Sequence, residues 1–261
     1  MSEGAPGFFL QDDPRAEHFV FDMPSYWWSR PYEYAWAASF ARPGDVVLDA
    51  ACGVCHPLKF HLLDVCGEVH ACDSDPRILS PRAILQEIAE VYGKDTADAF
   101  PARYLDKIHY KQCDICNLPH ESETFDKIFC ISVLEHLEDR FNTSPGLLPF
   151  FFALRLFSPH AIFKSLKEFR RALKPDGMIV LTFDYPRINL AYLHKILPIL
   201  GLHWVESAGF AIPAGALYSK EHDSYCFRAL LRKTGSVSFL EPREPGNAGP
   251  RSHTDSQEAA K

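Results

Sequence analysis

Nowhere in this sequence do about 18 apolar residues run together without a charge, so no segment offers a bilayer-spanning helix. The N-terminus also lacks the basic start and apolar core of a secretory signal. An excess of basic charge is missing as well: 27 Lys and Arg stand against 34 Asp and Glu, a net charge of −7. A chain of that balance has no broad electrostatic footprint for nucleic acid. These absences lead us to expect a soluble cytoplasmic protein with no nucleic-acid partner and no stable membrane insertion. Either a monomer or a homodimer fits the sequence.

Eight cysteines are present, two pairs of them at the spacing of metal knuckles, Cys52-x-x-Cys55 and Cys113-x-x-Cys116. Both pairs fall where apolar strand-like runs end, and a closed metal cage there would compete with a ligand. They are better read as small, half-buried thiols in a reducing compartment, and no metal is expected.

What is present is a pattern. Residues 45–60 begin with the apolar run Val46, Val47 and Leu48, which ends in Asp49, then in small residues, then in a helix-like stretch. Such an order reads as a buried parallel strand feeding a tight turn and a helix. An acid in that turn, with little basic charge around it, suits a cationic or hydroxylated ligand better than a pyrophosphate. The pattern recurs at 68–75, where a second short strand ends in Asp73, an acid placed to hold a ribose diol.

Strands are expected near 45–50, 68–73, 108–112, 126–132 and 178–184, with helices near 57–65, 81–93 and 161–174. That alternation predicts a parallel sheet covered on both faces. A helix starting at Pro31 precedes it. A helix over 189–207, broken by Pro198 and Gly201, and strands near 214–219 and 224–232 follow. Residues 1–40 read as an N-terminal aromatic cap and 41–234 as the core. An insertion at about 141–159 is rich in Phe and Leu, and 235–261 reads as a disordered tail.

Together with 113–119 (Cys-Asp-Ile-Cys-Asn-Leu-Pro), 125–137 ending Leu-Glu-His-Leu, and 173–183 (Leu-Lys-Pro-Asp-Gly-Met-Ile-Val-Leu-Thr-Phe), these segments resemble, in order, the class I S-adenosylmethionine-dependent methyltransferases. The ending Leu-Glu-His-Leu is similar to the branch acting on quinones, sugars and natural products. The resemblance implies an α/β, doubly wound, Rossmann-like fold whose mostly parallel seven-stranded sheet has an antiparallel last strand. It also implies S-adenosylmethionine as cofactor, held by Asp49, Ala50, Ala51, Cys52, Gly53, Asp73, Ser74, Asp114, Ile115 and Ser132. The family's Gly-x-Gly is represented by Ala51, Gly53 and Cys55. Alanine is the smaller concession and cysteine the larger, because glycine serves where φ is positive or a ligand comes close.

For the reaction, the resemblance points to methyl transfer onto oxygen or nitrogen of a small, partly apolar acceptor. RNA or protein as acceptor, or a non-catalytic interaction module, are the competing readings. Glu135 and His136 follow the fourth expected strand, and His136 titrates in the useful range for a general base. The same pair also suits a helix start and a packed polar residue. Ser132 replaces the first acid of a metal-holding Glu-x-x-Glu-His run found in some quinone and RNA methyltransferases. Asp184 and Tyr185, ending the next strand, are further candidates for contacts with the reacting group. Tyr26, Trp27, Arg30 and Tyr32 are candidates for binding the acceptor, and the aromatic segment from Tyr26 to Trp36 is expected to form, with 141–159, a mobile apolar cover; the run at 141–159 equally suits a buried helix packed on the core.

Overall fold

The computed structural model describes residues 7–137, 161–206 and 209–235. Strands β2 (Val46–Ala50), β3 (Glu68–Asp73), β4 (His109–Gln112), β5 (Phe125–Ile131) and β6 (Leu173–Tyr185) form the parallel body of one sheet. β9 (Ser224–Lys233) joins β6 antiparallel. The strand order is β1-β9-β6-β5-β2-β3-β4, where β1 is Gly7–Phe8. Two more short strands, β7 (Leu202–Trp204) and β8 (Tyr218–Ser219), also pair with β9. The sheet therefore has nine strands among the described residues rather than seven, the additions being short segments gathered on the antiparallel edge.

Strand alternation sorts the core into two layers. Val47, Phe129 and Val180 face one side, where α1 (Arg30–Ala38), α2 (Leu58–Val65) and α3 (Pro81–Tyr92) pack. Leu48, Ile128 and Leu181 face the other, against α7 (Ala161–Ala172) and α8 (Leu190–Ile199). The short helices α4 (Lys94–Asp98) and α5 (Arg103–Asp106) lead into β4, and α6 (Leu134–Leu137) follows β5. Local signals agree with the boundaries. Ser80 caps α3 by accepting from the Ala83 N–H at 3.2 Å, with Pro81 in the first turn.

Two expected elements differ. The helix expected to 207 ends at Ile199, and Leu202–Trp204 is a strand. Gly201, at φ +65°, supplies the turn, and the chain then finds an open edge on β9. The helix stop and turn at 174–177 are drawn into β6 as a bulge, since Phe125 pairs with Leu173 and Lys127 with Met178. The expected insertion at 141–159 and the tail lie outside the described residues. No described helix is long and apolar enough to cross a membrane.

Because β2 lies between β3 and β5, connections leave it in both directions, and the sheet's switch point is at the carboxyl ends of β2 and β5. In open α/β sheets that crevice is where ligands sit.

Candidate active site at the sheet switch point

A half-enclosed cavity of about 80 Å³ opens at this switch point, lined by Asp49, Ala51, Cys52, Gly53, Ile131 and Ser132 from the strand ends. Arg30 and Tyr34 of α1, and His56 and Leu58 around the start of α2, close its other side. Asp49 is 3% exposed and its Oδ2 has no hydrogen-bond partner among the described residues. Burial pushes its carboxyl up to about 7, only partly countered by the charge of Lys59. A carboxylate so placed is a receptor for a cation.

The turn after β2 is held from below. Lys59, wholly buried, donates to the carbonyls of Gly53 at 2.8 Å and His56 at 2.7 Å, and more loosely to that of Cys52 at 3.4 Å. Gly53 sits at φ +60°, and a Cβ there would come within 2.4 Å of the His56 ring. That ring stacks on Trp27 at 4.6 Å, and its Nδ1 shares a 2.7 Å hydrogen bond with the Tyr34 hydroxyl. Burial, then the nearby charges of Arg30 and Lys59, holds His56 well below its ordinary value, so a neutral imidazole faces the cavity.

The two substituted glycine positions behave opposite to expectation. Ala51 is the residue held at positive φ, +53°, whereas Cys55 is not among the positive-φ residues and is simply buried. The strain therefore falls on the alanine, whose Cβ meets backbone in the left-handed region.

Glu33 organises the side of the crevice formed by the ends of β5 and β6. Fully buried in α1, it accepts from Ser29, Arg30, Ser132, Thr182 and the Cys226 thiol, so one carboxylate ties α1 to the ends of β5, β6 and β9. Burial alone would raise its pKa; Arg30 and the hydroxyl donors outweigh that and hold it below its ordinary value. Beyond it, Glu135 is 3% exposed, with Oε1 accepting the Asp184 N–H at 3.3 Å and Oε2 unpartnered among the described residues. Burial, reinforced by Asp184 and Glu33, pushes Glu135 up to about 8. Asp184 is raised too, by burial and then Glu33. Three acids thus share one arginine.

Next to them a second cavity, of about 420 Å³, is lined by Tyr185, Pro186, Ile188, Asn189, Leu190, Ala191 and Phe210. Its wall is mostly apolar.

Of the expected cofactor residues, Asp49, Ala51, Cys52, Gly53 and Ser132 are brought together at the first cavity. The Asp73 carboxylate accepts from the Gly53 and Asp75 N–H groups at 2.9 Å each, linking the two acid-bearing strand ends. Asp114 accepts the Cys116 N–H at 2.9 Å in an exposed loop beyond β4, and Ser74 is exposed at the end of β3. Ala50 points into the other core layer, because a strand's neighbours point to opposite faces, and Ile115, in the loop after β4, is buried in that layer too.

His136 is exposed while Glu135 points inward, reversing their expected prominence. Tyr185 reaches the second cavity and Arg30 the first; Trp27 stands behind His56. Tyr26 is 66% exposed, and Tyr32 is buried in the core with its hydroxyl donating to the Gln11 carbonyl at 3.2 Å. Tyr34 and Trp36 are buried as well, so α1 packs these aromatics into the core. His56, Lys59 and Tyr34 were not expected at the site. A buried histidine and lysine next to a glycine turn carry no motif, and Tyr34 reads as one more aromatic in a helix.

A family model described as "Methyltransferase domain" matches residues 48–143. A comparison with curated proteins finds no match. Among solved structures, the chain is similar to the [4+2]-cyclase SpnF, with TM-score 0.54 and 14% identity over 88% of this chain and 87% of that one. It is similar also to a TehB-like SAM-dependent methyltransferase from Corynebacterium glutamicum (TM-score 0.48, 17% identity, 77% and 87% covered). A third is the magnesium protoporphyrin IX methyltransferase from Synechocystis PCC 6803 (TM-score 0.47, 20% identity, 77% and 76% covered). At 14% identity the likeness to SpnF speaks to the fold alone.

Proposed function

We propose that this chain, which carries a methyltransferase domain of the S-adenosylmethionine-dependent class, transfers a methyl group to oxygen or nitrogen of a small, partly apolar acceptor. The observation that carries this reading is the buried Asp49 carboxylate in a cavity at the sheet's switch point, whose Oδ2 has no hydrogen-bond partner among the described residues. The fold alone does not fix a reaction, since SpnF, which shares it, is named a cyclase.

The residues fit the cofactor. Asp49 offers an orphaned acceptor to a cation, Gly53 leaves the turn without a side chain, Asp73 ends β3, and Asp114 lies in the loop that follows β4. We assign these four to holding S-adenosylmethionine. When bound, it supplies an electrophilic methyl group.

The chain's own residues do the rest. The apolar cavity beside Tyr185 and Phe210 has a volume in the range of small-molecule sites, and it favours an acceptor with a ring or hydrocarbon portion. The net charge of −7 argues against RNA as acceptor. Glu135, pushed up to about 8, is a stronger base than an ordinary carboxylate once ionised, and we assign it rather than the exposed His136 to taking the acceptor's proton. Arg30, fixed by Glu33, keeps positive charge beside the acids and limits how far they stay protonated.

The experiment is transfer of labelled methyl from S-adenosylmethionine to a panel of phenolic, amine and sugar-bearing acceptors. With an accepted substrate, Glu135→Gln should lower turnover by about 10² to 10⁴ and His136→Ala by much less, with binding of S-adenosylhomocysteine unchanged in both. Equal turnover in wild type and Glu135→Gln would remove Glu135 from the mechanism. Cofactor binding without transfer to any acceptor would favour an interaction module.

A further inference from the structure

We propose a second site, remote from the first, in which Glu68, His70 and His109 bind a divalent transition-metal ion of the Zn²⁺ type. The three residues lie where β3 and β4 begin, whereas the candidate active site lies at the strands' carboxyl ends. One potential ligand atom from each falls within 4.8 Å of the others. Glu68 Oε1 is 2.8 Å from His70 Nε2 and 3.7 Å from His109 Nε2. In a tetrahedral site with ligands about 2.0 to 2.1 Å from the metal, ligand atoms stand roughly 3.3 Å apart. The observed separations bracket that value, so small side-chain rotations suffice.

The register explains the grouping. His70 pairs directly with His109 across the parallel β3–β4 ladder, which brings the imidazoles to one face and stacks their rings at 4.7 Å. Glu68, two residues before His70 on β3, shares that face. Imidazole and carboxylate together make a donor set for zinc, with an open position left for water.

A second observation points the same way. His120, 9% exposed, packs edge-on against His70 at 5.4 Å, and neither of its ring nitrogens has a hydrogen-bond partner among the described residues. A buried imidazole normally finds at least one partner. Metal ligands are commonly oriented by a further polar group beside them, and His120, packed against His70 with both ring nitrogens unpartnered among the described residues, is placed to turn into that role. Lys111 and Arg171 are the cations facing this corner; Arg171 is engaged by Glu168 at 2.7 Å, and Glu68 offsets Lys111.

The expected consequence is structural. β4 is a four-residue edge strand with exposed residues along it, and an ion gripping its first residue would fasten it to β3. The same strand leads into the loop carrying Asp114.

The test is titration of the chelator-stripped, full-length chain with Zn²⁺, followed by calorimetry and thermal melting, and with Co²⁺, followed by absorption. One ion per chain is expected, with a rise in melting temperature and a Co²⁺ spectrum free of thiolate charge-transfer bands. His109→Gln and His70→Gln should each weaken binding by more than about tenfold, and His120→Ala by about 10- to 100-fold, while the metal-free melting temperature of His109→Gln stays that of the wild type. Absence of saturable binding, unchanged affinity in His109→Gln, or thiolate bands showing that cysteines are the ligands, would each overturn the proposal.

Discussion

Replacing Asp49 by Asn separates what this residue costs the fold from what it gives the ligand. In the unfolded chain its carboxyl loses a proton near 3.8, whereas in the folded protein burial holds the proton to about pH 7. Between those values the folded state binds more protons than the unfolded one. Stability therefore falls as pH rises from about 4 to 7 and levels off above. A shift of about three units corresponds to roughly 4 kcal/mol, an upper figure because the buried chain relaxes around the charge. The Asn variant lacks this loss, so it should match the wild type below pH 4 and be more stable by up to that amount at pH 8. Cofactor binding should move the other way. A cation beside Asp49 favours the ionised form, so wild-type affinity should fall about tenfold per unit below pH 7. Losing a hydrogen bond to a charged group, about 1.5 to 3 kcal/mol, should weaken the variant roughly 10- to 150-fold at pH 8. Urea melts across pH 4 to 8 and calorimetric titrations with S-adenosylmethionine read both. A variant no more stable than wild type at pH 8, together with an unchanged slope below pH 7, would refute the reasoning.

Glu33→Gln removes a fully buried acid and leaves Arg30, 19% exposed, without that counter-charge, and should cost about 2 to 4 kcal/mol in chemical denaturation, less than the full cost of orphaning a wholly buried charge; a loss under about 1 kcal/mol would mean that the hydroxyl donors, not the charge, hold α1. Gly53→Ala should displace the His56 ring, since the added Cβ would stand 2.4 Å from it, and abolish measurable cofactor binding in calorimetry while the chain still folds by circular dichroism. Ala51→Gly should relieve left-handed strain of about 1 to 2 kcal/mol against a glycine entropy cost of about 0.5 to 1, a net gain under about 1.5 kcal/mol visible as a higher melting temperature. Lys59→Met should cost about 2 to 4 kcal/mol by leaving the Gly53 and His56 carbonyls unpaired, and the loss should be larger than for Lys94→Met on the exposed side of α4.

The sheet was legible chiefly through β2 and β6, whose apolar runs end in acids, since a parallel strand covered on both faces must be apolar along its length. The same feature located Asp49 and Asp73, since an acid at the end of an apolar strand run marks the mouth of a crevice. Glu33 reads from the sequence as one of several N-terminal residues that would cap the pocket, but its role as the buried tie was not legible, because only the fold brings Ser132, Thr182 and Cys226 to it from 99 to 193 residues away. Residue type also misjudged the turn: cysteine is a poorer glycine substitute than alanine only where φ is positive, and the backbone puts Ala51, not Cys55, there. Glu135 and His136 were found as a pair, but which one turns inward depends on the single turn of α6, a matter of about 100° per residue that no local sequence fixes.

Calorimetric titration of the wild-type chain with S-adenosylhomocysteine, run at pH 6 in two buffers of different ionisation enthalpy, tests the account most directly. It predicts one site per chain and release of close to one proton on binding, as Asp49 gives up the proton that burial holds until about pH 7. No heat at millimolar ligand, or binding that releases no proton at pH 6 and is untouched by Asp49→Asn, would contradict the claim that the buried acid at the sheet's switch point is the cofactor's receptor.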